Sequence, residues 1–258
     1  MRDPHVSALL YRLRTDETVV FDNPSSLERE TDAFRMRLAD GVLRCEMKDH
    51  HASEQSARTR VEPYIRAWEL WEALRSSRRR IWFDFEKAEI VDRDPPPPGE
   101  PQVNIVETAK MAFRGYSPPV RSTYRRYPDP PRGFAVSPDV ETMWSRYEGY
   151  LAGREPLASM GYMCLTVLEA SAGGREEAAK QYRIDMGVLR KLGHLTSEIG
   201  GPQAARKVPG GGFRPYTGTE KVWIEAVVKA MIRRAGEWAA APNADRPRLT
   251  MSDFPPLT

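Results

Sequence analysis

The chain has 258 residues, 40% of them apolar and 29% charged, which excludes a disordered protein and suffices for one large core or two small ones. Its net charge of +3 is too small by itself to imply a polyanionic partner. No run approaches the roughly 18 apolar residues of a membrane span, so no membrane partner is expected.

The first residues, Met1-Arg2-Asp3-Pro4-His5, place an acid and a proline where a secretory leader needs an apolar core, so the expected location is cytoplasmic. Cys45 and Cys164 stand far apart, each inside an apolar pattern and without a CxxC partner. They read as buried free thiols, and neither a disulfide framework, a metal site nor a cofactor is expected.

Residues 5–14 alternate loosely as a strand, followed by a second at Thr18-Val19-Val20-Phe21 and a turn at Asp22-Asn23-Pro24. Glu28, Glu30 and Asp32 form an acidic surface run with nothing to mark an acid/base pair. The next segment is the clearest structural signal. Asp40-Gly41 is a preferred two-residue hairpin turn, because both positions need positive φ. Folding about it sets Leu38 against Leu43, Met36 against Cys45 and Phe34 against Met47 on one face, with Arg35 against Glu46 on the other. A slip by one residue would bury Arg35 and Arg37, so the register should be firm.

A helix follows, capped by Ser53. Tyr64, Trp68 and Trp71 fall on one side of it, as a stripe packed on a sheet does. Pro63 requires either a kink or a restart of the helix. Ile81, Phe83 and Phe85 then alternate in another strand running to Val91. Asp94-Pro95-Pro96-Pro97-Pro98-Gly99 is stiff extended chain that cannot join a central strand. Beyond it a short strand at Val103–Val106 precedes proline-rich chain, in which Tyr116, Tyr124 and Tyr127 stand among arginines as in an exposed linker.

After Ser137-Pro138, a cap followed by proline in the first turn, the pattern is helical. Val140, Met143, Trp144, Tyr147 and Leu151 line the first helix, which Gly153 ends. A second helix runs from about Glu155 to Ala172 and stops at Gly173-Gly174. The last begins at Thr217, where Thr217-x-x-Glu220 forms a capping box, and carries Trp223, Val227, Met231 and Trp238. The chain from Pro242 is a proline-rich tail that Leu249, Met251 and Phe254 could dock onto the body. The predicted fold is thus α+β: an N-terminal sheet built on the hairpin with a packed helix (1–94), a proline-rich linker or irregular segment (95–136), an α-helical bundle (137–241) and the tail (242–258).

Between the second and last helices lies Arg175-Glu176-Glu177-Ala178-Ala179-Lys180-Gln181-Tyr182-Arg183-Ile184-Asp185-Met186-Gly187-Val188-Leu189-Arg190-Lys191-Leu192. Ala178 and Ala179 are small enough for a second helix to cross. Ile184 can plug the angle between the helices, Asp185 can cap the second, and Val188, Leu189 and Leu192 can face inward. Over these residues alone the chain resembles a helix-turn-helix, which implies nucleic acid as a partner. It departs from that motif in having Arg183 at the usual turn glycine and Gly187 in the recognition helix. Charge concentrates here: residues 175–234 hold 12 Lys plus Arg and 6 Asp plus Glu, so 12 − 6 = +6, leaving 3 − 6 = −3 for the remainder. A glycine-rich loop downstream carries Arg206, Lys207 and Arg214 but lacks the Lys-Ser or Lys-Thr of a P-loop. The candidate DNA or RNA contacts are therefore Lys180, Arg183, Arg190, Lys191, His194, Arg206, Lys207 and Arg214.

Arg190 and His194 would share a helical face, an arrangement that resembles the HEPN-type ribonucleases, although only three residues intervene here. The resemblance implies His194 as general acid/base and Arg190 as a stabiliser of phosphate charge. Asp49-His50-His51 with Glu46 and Glu54 has ligand types for a metal, but adjacent histidines on a strand face apart. No serine sits in a nucleophile elbow. Three functions fit: a non-enzymatic nucleic-acid-binding or regulatory protein, a protein-interaction or homo-oligomeric assembly module whose short helices merely complete the bundle, and a HEPN-like ribonuclease.

Overall fold

The computed structural model describes residues 2–75, 80–94, 122–199 and 214–257. The chain divides into two compact units, Met1–Pro131 and Arg132–Thr258. The fold is α+β, with an antiparallel sheet in the first unit and helices in the second.

The sheet grows from the hairpin. Strands β4 (Phe34–Ala39) and β5 (Val42–Met47) pair with Phe34 opposite Met47, Met36 opposite Cys45 and Leu38 opposite Leu43. Asp40 and Gly41 take φ of 52° and 72°, as the two-residue turn requires. All six inward residues are buried, and Arg35 faces Glu46 on the other side. Strand β1 (Pro4–Thr15) lies between β5 and β6 (Ile81–Asp92), and β3 (Leu27–Glu30) edges β4, giving the order β3-β4-β5-β1-β6.

The acidic run at Glu28 and Glu30 thus contains an edge strand that apolar alternation does not reveal. Leu27 packs against the core opposite Leu38, while Glu28 and Glu30 stand opposite Arg37 and Arg35, with ion pairs from Arg37 to Glu28 and from Lys48 to Glu30. The expected turn at Asp22-Asn23-Pro24 lies inside β2 (Val19–Ser25), which pairs in parallel with β7 (Ser122–Arg126). It breaks that pairing between Phe21 and Ser25, with Asn23 at φ 44°.

Helix α1 (Glu54–Arg75) covers the sheet, and the Ser53 hydroxyl accepts the Ser56 N–H at 3.3 Å as its cap. Trp68 is fully buried with its ring 5.0 Å from Phe83, and Tyr64 meets Phe34 edge-on. The helix continues through Pro63, whose ring is exposed. An interior proline costs about 3 kcal/mol, and burying Val61, Ile65 and Trp68 on either side returns about 1.5–3 kcal/mol for each large side chain.

Tyr127 corrects the exposed-linker expectation. It is buried against Phe21, and its hydroxyl accepts the Gly41 N–H at 3.0 Å. Farther on, Phe134 is buried and the Ala135 N–H donates to the Gly236 carbonyl at 3.0 Å. The expected strand at 103–106, Tyr116 and residues 95–99 lie outside the described residues.

In the second unit, α2 (Pro138–Leu151) starts as expected, with the Ser137 hydroxyl accepting the Val140 N–H. Val140, Met143, Trp144 and Tyr147 are buried, whereas Leu151, in its final turn, is exposed. Helix α3 (Leu157–Ala172) starts after Pro156, whose extended backbone (ψ 146°) delays it past Glu155. It packs against α2, α4 (Arg175–Gln181), α5 (Met186–Glu198) and α6 (Gly218–Ala240). Gly161 permits that closeness, since a Cβ there would sit 2.8 Å from the Thr196 methyl and 3.3 Å from Ile224. Thr217 and Glu220 cap α6 reciprocally. The tail is docked: Leu249 is buried and Phe254 meets Trp223 edge-on, although Met251 remains exposed.

Candidate nucleic-acid interface

The α4–turn–α5 corner forms from the residues that its sequence singles out. Ala178 and Ala179 are buried on α4, Ile184 is buried in the turn, and Val188, Leu189, Leu192 and Leu195 are buried on α5. The Asp185 carboxylate caps α5 by accepting the Gly187 N–H at 2.7 Å. That cap also accounts for Gly187, where a Cβ would lie 2.9 Å from the same carboxylate oxygen.

Arg183 adopts φ 54°, a left-handed conformation that costs a non-glycine residue about 1 kcal/mol. Compensation comes from the tail. The Leu249 N–H donates to the Arg183 carbonyl at 2.8 Å, and the Asp185 N–H donates to the Leu249 carbonyl at 2.7 Å, bracketing Ile184. The Arg183 guanidinium donates to the Arg246 carbonyl at 3.2 Å and reaches Asp245 at 3.5 Å. Arg246 in turn donates to the carbonyls of Glu237 and Ala241 at the end of α6. Sequence reasoning marked Leu249 as a docking residue but not the turn at Arg183–Asp185 as its partner, because a single leucine in proline-rich chain has no periodicity to point to one.

The cations named from the sequence separate into two groups. Lys180 pairs with Glu177 at 2.8 Å, and Arg183 holds the tail. Arg214 grips Glu220 with two nitrogens, at 2.8 and 2.5 Å. That hydrogen bonding outweighs burial and draws the Glu220 carboxyl down to about 2. The His194 ring lies 3.0 Å from Glu198. Arg190 is exposed and Lys191 half-buried, and neither has an acidic side chain within ion-pair distance among the described residues. Arg206 and Lys207 lie outside the described residues. Arg190, Lys191, His194 and Gly187 share the outer side of α5 by helical spacing, opposite the buried leucines.

Elsewhere, chemistry-bearing side chains are engaged internally. His51 is buried with Nδ1 3.0 Å from the Ser56 hydroxyl, while His50 stacks on His5. The two adjacent rings therefore part, and the described residues hold no cluster of three metal-ligating side chains. A cleft of about 480 Å³ between α1 and β6 is lined by Tyr11, Arg58, Glu62, Arg66 and Glu69. Arg58 pairs with Glu54 and Glu62, and Glu69 pairs with Arg66 and accepts the Phe83 N–H at 2.8 Å. Burial pushes the Glu69 carboxyl up, as expected for a clamp between helix and strand. Among the described residues no helix is long and apolar enough to cross a membrane.

No known family, curated protein or solved structure matches this chain.

Proposed function

We propose that the protein is a non-enzymatic binder of duplex DNA that presents the outer face of α5 to the phosphate backbone. The observation that carries this reading is the pair Arg190 and Lys191. They stand on a helix-turn-helix corner without acidic partners among the described residues, while Lys180, Arg183 and Arg214 are engaged within the fold. A helix face of this kind fits the major groove of B-form DNA, about 12 Å wide, but not the deep, narrow groove of A-form RNA. Gly187 offers no side chain near the start of α5, where base edges are normally read. The proposed binding is therefore phosphate-directed and weak, with a Kd of about 10⁻⁴–10⁻⁶ M at physiological salt.

Titration of a fluorescent 20-base-pair duplex at several salt concentrations tests the reading. Arg190 and Lys191 together should contribute about −1.8 to the log–log salt slope, and Arg190→Ala with Lys191→Ala should remove that contribution. A wild-type protein that binds no duplex at low salt, or whose binding ignores the double substitution, overturns it. Preference for single-stranded RNA over the duplex counts against it equally.

A further inference from the structure

The tail is a structural part of the helix-turn-helix corner, and it delivers one more cation there. Leu249 forms a parallel bridge with Ile184, its side chain is buried, and its peptide groups bond to Arg183 and Asp185. Three further contacts fix the same segment. Arg234, itself buried, donates to the Pro247 carbonyl at 2.6 Å; Arg246 ties back to the end of α6; and the Asp253 carboxylate accepts the Thr250 N–H at 2.7 Å. Residues 246–250 are thus held on both sides of Leu249.

In extended chain, neighbouring side chains point to opposite sides. With Leu249 turned inward, Arg248 turns outward, and it is exposed. The bridge register sets Arg248 beside Arg183, two residues before the Asp185 cap of α5. No acidic side chain lies within ion-pair distance of Arg248 among the described residues, in contrast to Arg183, which reaches Asp245.

We infer that Arg248 is a further phosphate-binding residue of the same interface. It sits at the end of α5 that a helix-turn-helix turns toward its duplex, where flanking chain meets the backbone beside the groove. This inference rests on the proposed DNA-binding reading and adds to it a specific third contact from 58 residues beyond Arg190 (248 − 190). A guanidinium on a clasped segment loses less conformational freedom on meeting a phosphate than one on a free tail. The tail therefore helps set affinity as well as holding the turn.

The test is duplex titration of the full chain with Arg248→Ala, beside Arg190→Ala with Lys191→Ala, and Arg60→Ala as an exposed cation of the first unit. A third contact takes the combined contribution to the slope to about −2.7, and Arg248→Ala should reduce its magnitude by about 0.9 while weakening binding several-fold at low salt. Arg60→Ala should leave both unchanged. If the double α5 substitution weakens binding and Arg248→Ala leaves the slope intact, the inference fails while the DNA-binding reading stands. If wild type binds no duplex, both fail. A far-ultraviolet spectrum matching wild type shows that Arg248→Ala is folded, as expected for an exposed side chain outside the ion pairs of the described residues.

Discussion

The backbone N–H of Leu249 donates to the carbonyl of Arg183, and this bond closes the turn between α4 and α5 over a residue with φ of 54°. A left-handed arginine is a local cost of about 1 kcal/mol. It persists because Ile184 on one side is buried and the tail pairs with the turn from outside. Arg183→Gly should therefore stabilise the second unit by up to about 1 kcal/mol, a gain reduced by loss of the half-exposed guanidinium contacts to Asp245 and Arg246. Urea unfolding measures the balance. A lower unfolding midpoint would show that the guanidinium's hold on the tail outweighs the strain.

Gly161 and Gly218 are both helical glycines, yet replacing them by alanine should have opposite effects. Alanine raises helix propensity by about 1 kcal/mol in a helix interior. At Gly161 the added methyl meets the Thr196 methyl at 2.8 Å and Ile224 at 3.3 Å, both on fully buried, β-branched side chains of packed helices. Overpacking of this kind costs about 1–3 kcal/mol, so Gly161→Ala should be net destabilising. Gly218 has no atom within 4 Å of a Cβ, and Gly218→Ala should be neutral or slightly stabilising. Equal melting temperatures for the two variants would sink this account of α3 packing.

Features resting on neighbouring residues were legible in the sequence. Asp40-Gly41 dictates its own turn, and alternation on either side fixes the partners Phe34–Met47 through Leu38–Leu43. The corner at 175–192 is equally local, down to the strain expected at Arg183. Features resting on distant partners were not legible. Glu28 and Glu30 lie in a strand whose partners Arg37 and Arg35 come from β4, and a single inward leucine, Leu27, is too little alternation to announce it. Arg214 reads as a mobile cation until Glu220 of the capping box is seen to hold it. Leu249 and Arg248 acquire their roles from a turn more than 60 residues earlier (249 − 184 = 65).

Tyr127 shows the same dependence on distance, since its hydroxyl serves Gly41, 86 residues before it. The Gly41 amide stands in a two-residue turn whose backbone has few other partners to offer. Tyr127→Phe keeps the ring against Phe21 and removes only the acceptor. Loss of one such hydrogen bond should cost about 1 kcal/mol. Amide hydrogen exchange at Gly41 should quicken by a similar factor, about fivefold. Unchanged exchange at Gly41 in Tyr127→Phe would mean that the bond contributes nothing.

The Arg214–Glu220 pair makes the start of α6 sensitive to acid. Glu220 is held at about 2, against an ordinary value of 4.5, chiefly by hydrogen bonds from Arg214 and then from the Thr217 cap. Between these values the unfolded chain binds the proton more readily than the folded one. Stability from the pair is therefore complete above pH about 4.5 and is lost as pH falls toward about 2. Because the Arg214 side chain is about half exposed (48%), screening limits the contribution to roughly 1 kcal/mol. Glu220→Gln retains a side chain able to serve the capping box but no charge to titrate. Its deficit in unfolding free energy relative to wild type should be present at pH 7, begin to shrink below pH 4.5 and be smaller at pH 3. No deficit at pH 7 would show that the cap, which glutamine retains, and not the ion pair holds the first turn of α6; a deficit that stays constant over this range would show that its origin does not titrate with the carboxylate.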